Sequence, residues 1–308
     1  MHNQLIILAG PTAVGKTAAA IRLAQQLGRL DPVSNTIDPL PIISADSRQC
    51  FRELNIGVAK PGPAELAAVP HFFIDSHSIH EEVNAAVFEG YALDVLDRLF
   101  RTHQRVIVVG GTGLYLKALM YGLDAIPAVP AQVRQEIEEL FRRQGIDALR
   151  AMVQAEDPLF ALDADLSNPQ RMMRALEVMR ATGRSIRQYQ QASPVFRNFA
   201  VIPFVLDLPR EELYQRINLR VDQMMEAGLL EEVRQLLPFR KINALQTVGY
   251  REIFEVLDRS TSLEKAIEAI RQNTRHYAKR QLTWFRSDPI WQWVHAATDL
   301  RELIPGPQ

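Results

Sequence analysis

The chain has 308 residues, 47% apolar and 23% charged, with a formal net charge of −1, values that suit a globular protein with a full core and give no overall basic field for nucleic acid. Its single cysteine, Cys50, excludes an intramolecular disulfide and a multi-cysteine metal site. No apolar run reaches the roughly 18 residues of a membrane helix, and the opening MHNQLIILAGPT has no basic leader, so the expected location is the cytoplasm.

Residues 5–9 form a short apolar run that reads as a buried strand. Gly10, Pro11, Thr12, Ala13, Val14, Gly15, Lys16 and Thr17 follow it and fit the phosphate-binding pattern G-x4-G-K-[ST]. A helix is predicted from residue 16 to 27. In that context the glycines let backbone N–H groups curl around an anion, and the helix N-terminus adds partial positive charge. Lys16 reaches terminal phosphate oxygens in such a loop, and the Thr17 hydroxyl completes a Mg²⁺ shell. Residues 29–41, rich in Pro and Asp, read as a surface loop. A second strand begins at residue 41 and ends in Ala45-Asp46-Ser47-Arg48-Gln49. Asp46 therefore sits at a strand end beside the anion loop, although a turn or helix cap for the residues after it is another use of the residue. His71, His77 and His80 lie close together, but their spacing is not that of a zinc site.

A helix is predicted over 83–103 and a buried strand over 105–109, closing on Gly110-Gly111-Thr112-Gly113. Thr112 on that turn suits close approach to a ligand, and it also suits a helix cap. An NTP-hydrolysing loop protein usually carries a Mg²⁺-organising acid at a strand end; this strand ends in Gly-Gly-Thr instead. Residues 122–198 are helical, Arg-rich and poor in strand signals, and residues 200–208 restore strand character. These alternations predict an α/β fold: a P-loop NTPase-like parallel sheet flanked by helices, with a helical insertion domain. The expected division is a discontinuous core of residues 1–121 and 199–308 around an insert of residues 122–198.

Charge is locally uneven: residues 240–286 hold ten Lys/Arg against five Asp/Glu, and residues 171–187 hold five Arg against one Glu. Residues 263–286 read as one helix, with Ile267, Ile270, Ala278, Leu282 and Phe285 as an apolar line. Arg275, Lys279 and Arg286 form a basic stripe beside it, expected to face outward, with Trp284 and Phe285 near its end. Basic and aromatic residues together suit phosphate contact and base stacking, and the same pattern also describes a solvated face over core aromatics.

GPTAVGKT (10–17), ISADSRQ (43–49), IGVAKP (56–61), PHFFID (70–75), VGGTGLY (109–115), NPQRMMRALEVMRATG (168–183), GLLEEV (228–233), TVGYRE (247–252) and TRHYAKRQLTWFR (274–286) together resemble the tRNA dimethylallyltransferases, also called isopentenyl-diphosphate:tRNA isopentenyltransferases. The sequence departs from that family at Cys50, where a larger residue is common, and in its longer 29–41 loop. It lacks the zinc finger of eukaryotic members, as bacterial ones do.

The resemblance implies transfer of a dimethylallyl group from dimethylallyl diphosphate to N6 of adenine 37 of tRNA. Asp46 is then the general base, Thr112 orients the amine, and Lys16, Arg220, the loop amides and Mg²⁺ on Thr17 stabilise the departing diphosphate. It further implies tRNA contacts at Asp46, Ser47, Arg48, Gln49, Thr112 and Arg134, and at Gln170, Arg171, Met172, Met173 and Arg174. Gln246, Thr247, Val248, Gly249, Tyr250 and Arg251 belong to the same expected surface. So do Lys279, Arg280, Gln281, Leu282, Thr283, Trp284, Phe285 and Arg286. The expected partners are the tRNA anticodon stem-loop and the diphosphate donor, with no membrane and a monomeric enzyme. A small-molecule P-loop kinase uses the anion loop but leaves the basic helix idle, adenylate isopentenyltransferase needs less RNA surface, and a plain RNA-binding module leaves the loop and Asp46 unused.

Overall fold

The computed structural model describes residues 3–30, 37–190 and 195–305. The strands are β1 (Asn3–Ala9), β2 (Arg29–Leu30), β3 (Ile37–Asp38), β4 (Ile42–Ser44), β5 (His71–Phe72), β6 (Arg105–Gly110), β7 (Phe199–Asp207) and β8 (Gln292–His295). Six of them form one sheet in the order β5-β4-β6-β1-β7-β8, with every pairing parallel. Leu5 pairs with Val106 on one side and Val201 on the other. Leu5, Ile6, Ile7 and Leu8 are fully buried, which is why β1 reads as a continuous apolar run rather than an alternating one.

The helices are α1 (Lys16–Gln26), α2 (Pro63–Ala68), α3 (Ala85–Leu99), α4 (Gly113–Tyr121), α5 (Ala131–Glu156), α6 (Pro158–Ala161), α7 (Pro169–Thr182), α8 (Arg210–Glu226), α9 (Leu229–Gln235), α10 (Tyr250–Leu257) and α11 (Leu263–Arg286). Two compact units result, one of residues 1–120 with 196–308 and one of residues 121–195. The first holds the sheet. Its core joins β1, β6 and β7 residues such as Ile6, Ile107 and Phe204 to Ala20 and Leu23 of α1 and Ile217 of α8. The second is helical and has its own core, in which Ile137, Leu149 and Val153 of α5 meet Met172, Leu176 and Val178 of α7. Helix α5 is interrupted at Gly145, whose φ of 76° is not helical.

Chain direction positions the site. Parallel strands share one carboxyl edge, so the turns after β1, β4 and β6 lie side by side. From β1 the chain crosses to β4 and on to β5, then returns to β6 and leaves for β7, so the neighbours β1 and β6 connect in opposite directions, the arrangement at which α/β sheets bind ligands. The 29–41 segment differs from the loop expected: Arg29 pairs with Asp38 and Leu30 with Ile37 in a small antiparallel ladder. Residues 31–36 lie outside the described residues. Strands β5 and β8 were not foreseen, because two and four residues at the sheet edges carry almost no periodic signal.

Gly110 ends β6 against β4, and a Cβ there would collide with the Ala45 carbonyl. We expect Gly110→Ala to cost about 1–3 kcal/mol through forced backbone movement. Gly90, inside α3, has nothing within 4 Å of an added Cβ, so Gly90→Ala should stabilise by about 0.5–1 kcal/mol. Urea midpoints measured at unchanged m-value check both; shifts of the same sign would refute the contrast.

Candidate active site

The loop after β1 turns through Gly10 at φ 147°, Ala13 at φ 66° and Gly15 at φ 97°. These angles bring the chain into α1 with no side-chain cap and no acidic residue in the first turn. The amides at that helix start are therefore unclaimed by side chains and present their partial charge to an anion. Lys16 folds back over the loop, its Nζ donating to the Pro11 carbonyl at 2.8 Å.

Two arginines one helical turn apart on α8 reach the same loop. The Nη1 of Arg220 donates to Thr12 Oγ1 at 3.2 Å, and that of Arg216 to the Val14 carbonyl at 3.3 Å. Burial and the guanidinium of Arg220 push the Lys16 ammonium down to about 7, with Asp46 opposing. Burial likewise lowers Arg220, again opposed by Asp46. Arg216 escaped sequence reasoning; its signal was the i, i+4 repeat with Arg220 on an amphipathic helix.

Asp46 follows β4. Its Oδ1 accepts from the amides of Arg48 at 2.9 Å and Gln49 at 3.3 Å, so it forms the turn while its carboxylate is aimed by those two bonds. Thr112 accepts at Oγ1 from the Ser47 amide at 3.1 Å, tying the turn after β6 to the turn after β4. Thr112 lines neither of two cavities at this edge, but its side chain meets the Ser47 amide and the Tyr277 hydroxyl, two residues that do. Behind the turn, Cys50 is fully buried, and burial pushes its thiol up to about 12.

The larger cavity, about 970 Å³, is lined by Lys16, Thr17 and other loop residues and by the 55–63 segment. The smaller, about 320 Å³, is lined by Ser47, Arg48, residues 246–249, Arg251 and Arg280. Thr12, Asp46, Val58, Arg220, Met224 and Tyr277 line both. Asp46 thus stands at their junction. Tyr277 was also missed from sequence: it shares a basic helix with Arg280, whose guanidinium lies 5.8 Å from its ring centroid. Burial raises its hydroxyl, with Asp46 adding to the effect.

Several expected contact residues are held elsewhere. Gln281 is buried on α11, where Oε1 accepts from the Thr12 amide at 2.8 Å and Nε2 donates to the Gly111 carbonyl at 2.9 Å. It joins the anion loop to the glycine turn and has no surface left for RNA. Phe285 is fully buried, edge-on to Trp291 at 5.1 Å, Tyr250 is fully buried, and Leu282 packs on the core. Met172 and Met173 lie in the core of the helical unit, because that face of α7 must cover α5. Arg275 does not face outward as expected. It is half-buried, donates to Asn218 Oδ1 at 2.7 Å and stacks over Tyr214.

Exposed positions from those segments are Gln170 and Arg171 on α7, Gln246 ahead of α10 and Arg251 on α10. Lys279, Arg280, Thr283, Trp284 and Arg286 are the exposed ones on α11. Gln49 turns inward, its Nε2 donating to the Ala59 carbonyl at 3.0 Å. Arg134 lies on α5, and Arg174 on α7 donates to Glu177 at 3.2 Å. Among the described residues no group of three His, Cys, Asp or Glu is placed to hold a metal, and no helix is long and apolar enough to cross a membrane.

The family model described as IPP transferase matches residues 49–288. A tRNA dimethylallyltransferase of Cytophaga hutchinsonii is 44% identical over 295 residues, 96% of this chain and 93% of that protein. The full-length tRNA isopentenylpyrophosphate transferase structure from Bacillus halodurans is 33% identical, with a TM-score of 0.68 over 98% of this chain and 93% of that one. A eukaryotic dimethylallyltransferase solved acting on tRNA is 26% identical, with a TM-score of 0.74 over 97% of this chain and 75% of that one.

The state of Lys16 gives a signed test. With its ammonium held near 7 by burial, an incoming diphosphate stabilises the charged form and raises it. Binding a diphosphate ester at about pH 8 should then take up a proton, and affinity should weaken as pH rises above about 7. Calorimetry in buffers of different ionisation enthalpy, without divalent cation, measures the uptake. No uptake, or the same uptake in Lys16→Ala, would rule out Lys16 as the coupled group.

Proposed function

The chain belongs to the IPP transferase family, and on that premise we propose how its two cavities work together as a tRNA dimethylallyltransferase. A dimethylallyl group passes from dimethylallyl diphosphate to N6 of adenine 37 of tRNA, and diphosphate is released. The observation that carries the residue assignment is Asp46 at the junction of the cavities, with Arg220 and the anion loop on one side.

On this reading the diphosphate lies over the amides of residues 15–17 at the start of α1, held by Lys16 and Arg220. The carbon chain lies along Val58, Ala59, Leu219 and Met224 of the larger cavity. The adenine enters the smaller cavity past Gln246, Thr247 and Val248. A base stacked in an anticodon loop cannot reach that depth, so it is flipped out. As the bond from N6 to C1 forms, the C1–O bond breaks with its electron pair going to the diphosphate. The N6 proton passes to Asp46, and Lys16, Arg220 and the loop amides stabilise the leaving charge. Thr112 keeps Asp46 in place by holding Ser47.

Thr17 lines the larger cavity at the start of α1, where its hydroxyl would hold a Mg²⁺, an ion that needs only one or two protein ligands beside a phosphate. A Mg²⁺ held by Thr17 would supply positive charge to stabilise the diphosphate as it leaves.

Asp46→Asn should lower turnover by about 10²–10⁴-fold while leaving the fold intact. Labelled dimethylallyl diphosphate, ATP or AMP, and unmodified tRNA, offered together, identify the product. Prenylated AMP, or ATP consumed in step with product, would displace the tRNA reading, and near-normal turnover would remove Asp46 as base. For the RNA surface, Lys279→Gln with Arg280→Gln should reduce the salt slope of tRNA binding by about 0.7 for each phosphate that is no longer neutralised. Arg275→Gln, whose guanidinium is spent on Asn218 and Tyr214, should leave the slope alone. Superimposable titrations for all three proteins would mean that α11 is only a solvated face.

A further inference from the structure

Segment 55–61 walls the larger cavity through Asn55, Ile56, Val58, Ala59, Lys60 and Pro61, and Gly57 and Val58 also face the smaller one. It is held in place from α9, far along the chain. One carboxylate, that of Glu232, accepts four donors. Its Oε2 takes the amides of Asn55 at 3.2 Å and Ile56 at 2.8 Å. Its Oε1 takes the amide of Gly57 at 3.1 Å and the hydroxyl of Tyr250 at 2.5 Å. Three consecutive amides wrapped on one anion form a nest, and charge-assisted bonds of this kind are about twice as strong as neutral ones.

Tyr250 contributes twice. Its ring is fully buried and passes so close to the loop that a Cβ on Gly57 would collide with it. Its hydroxyl is raised by burial and by Glu232, which keeps the proton on it and the bond to the carboxylate intact. Tyr250 also opens α10, directly after the 246–249 segment that lines the smaller cavity. The latch therefore ties the wall of one cavity to the rim of the other.

We propose that Glu232 is a positioning residue: through the amides of 55–57 and the Tyr250 hydroxyl it sets the wall along which the donor's carbon chain lies, and so registers that chain with the incoming amine. The proposal rests on the prenyl-transfer reading above, and it separates two parts of donor binding. The diphosphate depends on residues 10–17 and the carbon chain on the latched wall.

The test compares inorganic pyrophosphate with dimethylallyl thiolodiphosphate, a non-transferring analogue, on wild type and Glu232→Gln. Gln keeps the size but cannot accept at both termini. We expect analogue affinity to fall about 10-fold with pyrophosphate affinity within about two-fold, and kcat/KM for prenyl transfer to fall about 10–100-fold. Tyr250→Phe removes one of the four donors and should move the analogue in the same direction by a smaller factor, which keeps the claim testable if Glu232→Gln fails to fold. If both ligands weaken together, or neither does, Glu232 is a structural residue only and the proposal falls. The binding comparison stands even where wild type makes no prenylated tRNA, so failure of the latch and failure of the transfer reading are seen separately.

Discussion

Lys16 and Arg220 share one half-buried corner of the larger cavity, and both feel the opposing charge of Asp46. Positive charge gathered away from water is costly, and here the helix start of α1 adds to it without an acidic residue in its first turn. The corner is relieved when an anion arrives. Burial depresses the Lys16 ammonium for the same reason that a diphosphate would restore it, so the cost of gathering the charge and the affinity for an anion have a single origin. The surrounding contacts serve to keep that charge fixed. Arg220 is tied to Thr12, Arg216 to Val14 and Gln281 to Thr12, so two distant helices, α8 and α11, restrain the loop.

That restraint bears on the chemistry. Stabilising a leaving group by fixed dipoles and charges is effective because nothing need reorganise as the bond breaks. A loop of glycines alone is free to move; this one is pinned by a buried amide side chain that also grips the neighbouring glycine turn. Thr112 does the same for the Asp46 turn. In the proposed reaction the groups on the leaving side and the group on the proton-accepting side are thus held to one frame, the carboxyl edge of the sheet.

The parts of this arrangement that were legible in sequence are the local ones. The strand, anion loop and helix at residues 3–26 are contiguous, and each glycine answers a backbone angle. Helix α11 was read to its observed bounds, Leu263–Arg286, because its apolar residues keep helical spacing over more than six turns. Gln281, Glu232 and Arg216 act on partners 269, 176 and 202 positions away, and no periodicity encodes such pairings. Side-chain direction was misjudged where the helix face was assigned by charge. Arg275 lies one turn from Lys279, yet it turns toward α8 to meet Asn218, while Lys279 remains exposed. Met172 and Met173 were placed on the RNA surface by the family resemblance alone, but a helical unit with its own core must bury something, and both lie in that core.

A phosphate-binding loop by itself does not distinguish phosphoryl transfer from transfer of the group that a diphosphate carries. The cations over the loop stabilise negative charge in either case. What differs is where the nucleophile must stand. Phosphoryl transfer places it in line with a phosphorus atom, among the loop amides, whereas carbon transfer places it in line with the C1–O bond, on the side of C1 away from the diphosphate. Asp46 lines the loop's cavity and the neighbouring one together, and the smaller cavity opens toward Arg48, Arg251 and Arg280. A base at that junction is placed to deprotonate a nucleophile arriving from the second cavity while the diphosphate stays in the first. The apolar wall formed by Val58 and Met224 separates the two polar ends, which suits a short hydrocarbon between an anion and an amine better than it suits a phosphoryl group passing between oxygens.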